Sequence, residues 1–258
     1  AGMLRPFARG ITLPAQVCTG TVSVAHKAIN LRITETDDAT RLVATAPAGK
    51  GSLTGAIEID ISVAKPAGHE SLNVLIPWSE RTFQFTSKHN TRPATGTVRV
   101  GGRSWAVAAE SDAWGVQDLG RGIWPYSNRW NWASASGHGT DGRLLGLQFG
   151  GKWTIGTGAT ENALCIDGRL TKISDELEWT YDWANPMAPW RVRTPGSDQV
   201  DATLTPSFDR YDVTDLKVLR MEVHQCFGTW AGRVVGDDGV PVSFEGVRGF
   251  AEEARNKW

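Results

Sequence analysis

The chain has few cysteines, no excess of either charge and no long apolar stretch. Cys18, Cys165 and Cys226 are three, odd in number and far apart. A disulfide framework needs paired, patterned cysteines, so this set fits a reducing compartment and a cytoplasmic location is expected. No C-x-x-C pair is present, and no metal site is indicated. Lys and Arg total 27 against 28 Asp and Glu, a net charge of −1. Without an excess of one sign, a bulk electrostatic grip on nucleic acid or anionic lipid is excluded. No apolar run approaches the roughly 18 residues of a membrane span. Ala1 to Phe7 has no basic region followed by an apolar stretch, so no secretory signal is expected. A helical period is also missing; only the tail from Phe250 to Lys257 is expected to turn once or twice.

What is present is tryptophan, glycine and alternation. Twelve Trp stand against three Tyr. A buried indole N–H needs a partner, so packing alone rarely calls for so many. Glycine, 29 of 258 residues, fits turns between short strands. Ile57, Ile59, Ile61 and Val63 alternate with Glu58, Asp60 and Ser62, the pattern of a half-buried strand. Val98 and Val100 run into Gly101-Gly102 and then Trp105, and Leu164 and Ile166 run into Asp167-Gly168 and then Leu170, two hairpin signals. The expected architecture is all-β with few or no helices: two antiparallel units of sandwich or barrel type. The polar, alternating residues 1–110 give way near Glu110–Asp112 to the Trp-dense residues 111–258, and these are expected to be the two units.

Several stretches imitate chemistry without its context. Gly137-His138-Gly139-Thr140-Asp141-Gly142 matches G-x-G-x-x-G, but a strand follows where a helix must receive the phosphate. Gly146 to Lys152 opens like a P-loop, but Trp153 stands where Ser or Thr is needed. His69-Glu70 lacks the second histidine of a zinc protease, because Asn73 stands there. His26, His89 and His138 have no sequence companions and read as surface residues. Nothing calls for a cofactor.

Two constellations are better candidates. From Asp112 to Trp132, Asp112, Trp114, Asp118, Arg121, Trp124, Tyr126, Asn128, Arg129, Trp130, Asn131 and Trp132 interleave polar and aromatic groups, as concave ligand sites do. If 112–118 is extended, Asp112, Trp114 and Asp118 share a face. A carboxyl against an indole wall keeps its proton, because desolvation disfavours the anion, and can act as a general acid. Farther on, Glu222 and His224 share a strand face, and a carboxylate beside an imidazole makes an acid–base pair. Cys226 lies on the same face, with no sign of a depressed thiol pKa. A Gly-rich loop adds Lys152, Trp153, Glu161 and Asn162 as ligand contacts.

The segments Gly68-His69-Glu70-Ser71-Leu72-Asn73-Val74, Phe83-Gln84-Phe85-Thr86-Ser87-Lys88, Gly120-Arg121-Gly122-Ile123-Trp124-Pro125-Tyr126, Trp130-Asn131-Trp132, Gly150-Gly151-Lys152-Trp153 and Glu222-Val223-His224-Gln225-Cys226-Phe227-Gly228 resemble the DUF2804 family. The resemblance spans roughly residues 10 to 258, and family members are longer at the amino end. More distantly, the arrangement is similar to lipocalin-like proteins that include carotenoid 1,2-hydratases and fungal cyclases of the Diels–Alderase type. That likeness implies two β units and a pocket for a large apolar ligand.

The expected function is therefore cofactor-free acid–base chemistry, as a hydratase, cyclase or isomerase, on an apolar or ring-bearing small molecule. Asp118 is expected to donate the proton with Asp112 as substitute, and His224 with Glu222 to accept one. Arg121, Trp124, Tyr126, Trp130, Asn131, Trp132, Lys152, Trp153, Glu161 and Asn162 are the expected ligand contacts. A non-catalytic small-molecule carrier, or a glycoside hydrolase with paired carboxylates, fits the same residues. The expected partner is a small molecule, with no nucleic acid and no membrane span; the sequence leaves the oligomeric state open.

Overall fold

A computed structural model describes Pro14, Gln16 and residues 19–48 and 55–257. Cys18 and the segment Ala1 to Phe7 lie outside the described residues. The described residues are 66% strand and 1% helix, in two curled antiparallel sheets, as the alternation predicts. The helical element among the described residues is one 3-10 turn, Ala109–Ser111.

The strands are β1 (Gly20–His26), β2 (Ile29–Glu35), β3 (Ala39–Ala46), β4 (Ile57–Ala64), β5 (Leu72–Pro77), β6 (Phe83–Val100), β7 (Arg103–Val107), β8 (Trp114–Gly122), β9 (Ser127–His138), β10 (Leu144–Gly151), β11 (Asn162–Ile166), β12 (Arg169–Ile173), β13 (Glu178–Thr180), β14 (Trp190–Arg193), β15 (Val200–Asp215), β16 (Arg220–Val235) and β17 (Pro241–Lys257). One sheet has the order β1-β2-β3-β4-β6-β5, with β7 and β8 also pairing with β6; the other has the order β12-β11-β10-β9-β17-β16-β15-β14-β13. The described residues form two compact units, a smaller one that includes 19–48, 55–69 and 92–115 and a larger one of 70–91 and 116–257. Both expected hairpins form: β6 returns as β7 through Gly101-Gly102, and β11 as β12 through Asp167-Gly168. Asp167 (φ 50°) and Gly168 (φ 82°) are both left-handed, the conformation a two-residue turn requires.

The tail does not turn. Ala251 to Lys257 belong to β17, paired with β9 from Arg248 to Lys257 and with β16 along the other edge. The Ala, Glu, Arg and Lys there are good helix formers, but hydrogen bonding to strands on both sides overrides that preference.

In the larger unit, the nine-stranded sheet has two differently built faces. Leu145, Leu147 and Phe149 of β10 pack on one side with Trp190, Val192, Trp230 and Val234. Burying each such side chain contributes about 1.5–3 kcal/mol. Toward the other side β10 presents Gly146, where a Cβ would come within 2.7 Å of Thr91 Cγ2 and 2.9 Å of Asn90 Oδ1. That opening lets the first half of β6 lie close. Asn90 Nδ2 then donates to Ser134 Oγ at 2.9 Å and to the Leu147 carbonyl at 2.7 Å. On the same side Leu72, Val74 and Ile76 of β5 pack with Trp153 and Ala163, flanked by Trp78, Trp124 and Trp130.

Candidate functional site

A cavity of about 500 Å³ opens in the larger unit, and every residue lining it belongs to that unit. Its walls carry four indoles, Trp124, Trp130, Trp132 and Trp153. Trp124 stacks on Trp130 at 5.6 Å between centroids and meets Trp153 edge-on at 5.2 Å. Gly120 and Gly122 bring β8 against β6; a Cβ at Gly122 would fall 2.2 Å from the Phe83 carbonyl. This contact holds Asp118 at the cavity.

The floor is charged. Lys88 of β6, its side chain only 5% exposed, donates to Asp118 at 2.8 Å and stands 3.5 Å from Glu161. Its ammonium also lies 4.1 Å from the Trp132 ring centroid, within cation–π range. Burial disfavours this charge, but Glu161 and Asp118 outweigh burial and hold the ammonium above the ordinary lysine value. Glu161 accepts from Thr86 Oγ1 at 2.6 Å and from the Trp153 indole at 3.1 Å. Glu252, on β17, accepts from the Trp130 indole at 2.9 Å and from Gln225 Nε2 at 2.8 Å. Burial pushes the Glu252 carboxyl above the usual range, against the pull of the Trp130 indole, the Lys88 charge and the Gln225 amide. Two wall indoles thus act as donors that fix carboxyl groups, which is why tryptophan and acid interleave here. Gln84 also lines the cavity, and its buried Oε1 has no hydrogen-bond partner.

Asp118, Trp124, Trp130, Trp132, Trp153 and Glu161, all expected from the sequence, line this cavity. The other expected residues do not. Asp112 is a left-handed turn residue (φ 58°) ahead of β8 that accepts from the Trp114 indole at 2.9 Å, so 112–118 is not one extended segment. Arg121 sits on β8 between the wall residues Gly120 and Gly122 and is half-buried, but does not line the wall. Tyr126 is 55% exposed and donates to the Val218 carbonyl at 3.0 Å. Asn162 is structural: its Oδ1 accepts from Gly150 N at 2.7 Å and its Nδ2 donates to the Asp175 carbonyl at 3.2 Å. His89 is not a surface residue; it is buried, 3.0 Å from Ser87 Oγ.

Lys152, Asn131, His224 and Glu222 gather instead on the opposite face of the nine-stranded sheet. Glu253, the next residue after Glu252, points there with its side chain 1% exposed. It pairs with Lys152 at 2.9 Å and Arg255 at 2.8 Å, and accepts from Tyr181 at 2.5 Å. Burial raises its carboxyl pKa, but Arg255, Tyr181 and Lys152 more than reverse this and hold it below the usual range. Asn131 donates to Tyr181 at 3.1 Å. His224 does not pair with Glu222. Its Nδ1 lies 2.7 Å from Asp209, while Glu222 binds Arg220 at 2.9 Å and Tyr211 at 3.0 Å. Glu222 is engaged by Arg220 and Tyr211, and Asp209, diagonal to His224 across the β15–β16 ladder, takes the imidazole instead. Cys226 is no nucleophile: burial, then Asp209, pushes its thiol up to about 12.

Sequence reasoning did not single out Lys88, Glu252, Thr86 or Gln84. The signal for the β6 residues was a run, Gln84 to Arg92, that is polar apart from Phe85 and has no apolar alternation yet is largely buried. A second depression of about 690 Å³ runs along Arg191, Arg193 and Arg233. Arg191 is paired there with Asp201 and Arg193 with Glu178, all four well exposed. Lacking a buried charge, it offers less chemistry than the indole-walled cavity.

Among the described residues no group of His, Cys, Asp and Glu could hold a metal ion, and no helix is long and apolar enough to cross a membrane. No curated protein sequence matches the chain. Among solved structures it is similar to kievitone hydratase from Nectria haematococca, at 12% identity over 92% of this chain and 84% of that one, with a TM-score of 0.44. It is also similar to a protein from Nitrosomonas europaea described as a "putative AttH", at 14% identity over 90% of this chain and 67% of that one, with a TM-score of 0.37. Likeness at this level transfers no chemistry. The family model DUF2804, a domain of unknown function, matches residues 1–258, and the chain belongs to that family.

Proposed function

We propose that the cavity carries out cofactor-free acid–base chemistry on an apolar, ring-bearing small molecule, as a hydratase, cyclase or isomerase. The observation that carries this reading is Glu252, a buried carboxyl with a raised pKa at the wall of an indole-lined cavity. Asp118 is bound to Lys88 at 2.8 Å, so the proton-donor role expected of it passes to Glu252. Glu252 gives its proton to a carbon–carbon double bond, and positive charge develops on the neighbouring carbon. Indole faces stabilise such a cation through their quadrupoles. The floor helps as well: one ammonium, Lys88, against two carboxylates, Asp118 and Glu161, leaves one negative charge in excess. Attack by water, closure of a ring or loss of a different proton then gives a hydratase, cyclase or isomerase. In each case the proton released returns to Glu252.

The test is deuterium transfer in D2O with a panel of prenylated and polycyclic alkenes, read by mass spectrometry. All three reaction types leave deuterium on a substrate carbon. Glu252→Gln is expected to lower incorporation by roughly 10²–10⁴-fold while ligand binding persists. A ligand that binds wild type without taking up deuterium supports the other reading, a small-molecule binding protein with no chemistry. That reading draws on the same walls, whose shape and polarity suit a bound ring system.

A further inference from the structure

The aromatic surface of the cavity continues past it. Phe250 packs edge-on against Trp132 at 4.8 Å, Phe227 lies 5.8 Å from Phe250, and Phe208 lies 6.5 Å beyond Phe227. Strand register produces this row: Phe227 is directly opposite Phe250, and Phe208 directly opposite Phe227, on β17, β16 and β15 in turn. Exposure climbs along it, from 7% at Phe250 to 38% at Phe227 and 59% at Phe208. A single exposed phenylalanine needs no explanation, but a contiguous apolar strip leading from a cavity wall to solvent marks a contact surface. At a strand spacing of about 4.8 Å the strip is roughly 10 Å long.

The charged floor restricts what can occupy the inner end. Among the described residues that line the cavity, Lys88 is the one cation, and it is held between Asp118 and Glu161. An anionic head group would meet the excess negative charge with no cation left to receive it. A hydrogen-bond donor would meet the carboxyl oxygens of Asp118, Glu161 and Glu252.

We infer that the site takes an elongated amphiphile, with a neutral or cationic hydrogen-bond-donating head in the cavity and an apolar tail laid along Phe250, Phe227 and Phe208. This rests on the reading of the cavity as a ligand site and adds the shape and head-group charge of its ligand.

Four probes test it: para-ethylphenol, para-octylphenol, octylammonium and octanoate, with binding followed by tryptophan quenching and calorimetry. In wild type the octyl phenol is expected to bind about tenfold or more tighter than the ethyl phenol, because buried methylenes contribute. In Phe227→Ser and in Phe208→Ser that ratio is expected to fall to about twofold with ethylphenol affinity unchanged. Both side chains are exposed, so either variant can lose its ring and stay folded. Octylammonium is expected to bind and octanoate not to compete. A chain-length ratio unaltered in both variants overturns the tail assignment alone. Octanoate binding as tightly as octylammonium overturns the head assignment alone. Failure of every phenol to bind wild type removes the ligand site itself, and this inference with it.

Discussion

Glu252 and Glu253 are sequence neighbours on one strand and have opposite surroundings. Glu252 faces indoles and an amide, and burial dominates, so its carboxyl pKa is raised. Glu253 faces Lys152, Arg255 and the Tyr181 hydroxyl, and those donors overcome burial, so its charge is held. The pleat alone creates the difference, since successive side chains leave a strand on opposite sides. Composition and local sequence are the same for both residues. What separates them is which donors the neighbouring strands supply, so an acid suited to giving up a proton stands beside one that braces the sheet.

The comparison can be broken in three ways. The largest expected effect comes from Lys88→Met, which leaves Asp118 and Glu161 without their shared ammonium. Removing one partner from a buried ion pair costs about 3–5 kcal/mol, measured by urea unfolding; a loss near zero would show that the cavity floor does not depend on this charge.

The two glutamates give the next test, because their amide variants should differ in sign. The pKa of Glu253 is depressed in the folded state. Its contribution is complete above the ordinary carboxylate value and is lost as pH falls through the depressed one. Glu253→Gln is therefore expected to cost about 2 kcal/mol at neutral pH, moderated by the partial exposure of Lys152 and Arg255, and little in strong acid. The pKa of Glu252 is raised, so the folded state favours its proton, and ionising it erodes stability as pH rises through the raised value. Glu252→Gln should match wild type in acid and be up to about 1 kcal/mol more stable above that value. Equal destabilisation of both variants at neutral pH would erase the distinction. The smallest effect concerns His224, on the face away from the cavity: His224→Gln should leave para-ethylphenol affinity within about twofold, and a tenfold loss would couple the two faces.

Much of the fold was legible because a sheet with one buried side forces alternation, and Ile57 to Val63 alternate accordingly. The tryptophans of the cavity were legible because indoles interleaved with acids seldom serve packing alone. Glu252 was hidden by the helix-forming composition of Phe250 to Lys257, since nothing local reveals that β9 and β16 will bond to both edges. Lys88 was hidden because β6 satisfies its polar groups through other strands, so no period marks it as interior. The pairing of His224 failed for the same reason: Asp209 is 15 residues away in sequence and one strand away in space.

Trp132 lies opposite Glu252, and Asn131 opposite Glu253, along the β9–β17 ladder. Slipping that ladder by a single residue would exchange the two glutamates, turning the acid toward the lysine and arginine and the brace toward the indoles. The β16–β17 pairing shifts register between Trp230 and Gly232, on the way from the Gly236-Asp237-Asp238-Gly239 turn to the glutamates, and that irregularity therefore governs the cavity's chemistry from a distance.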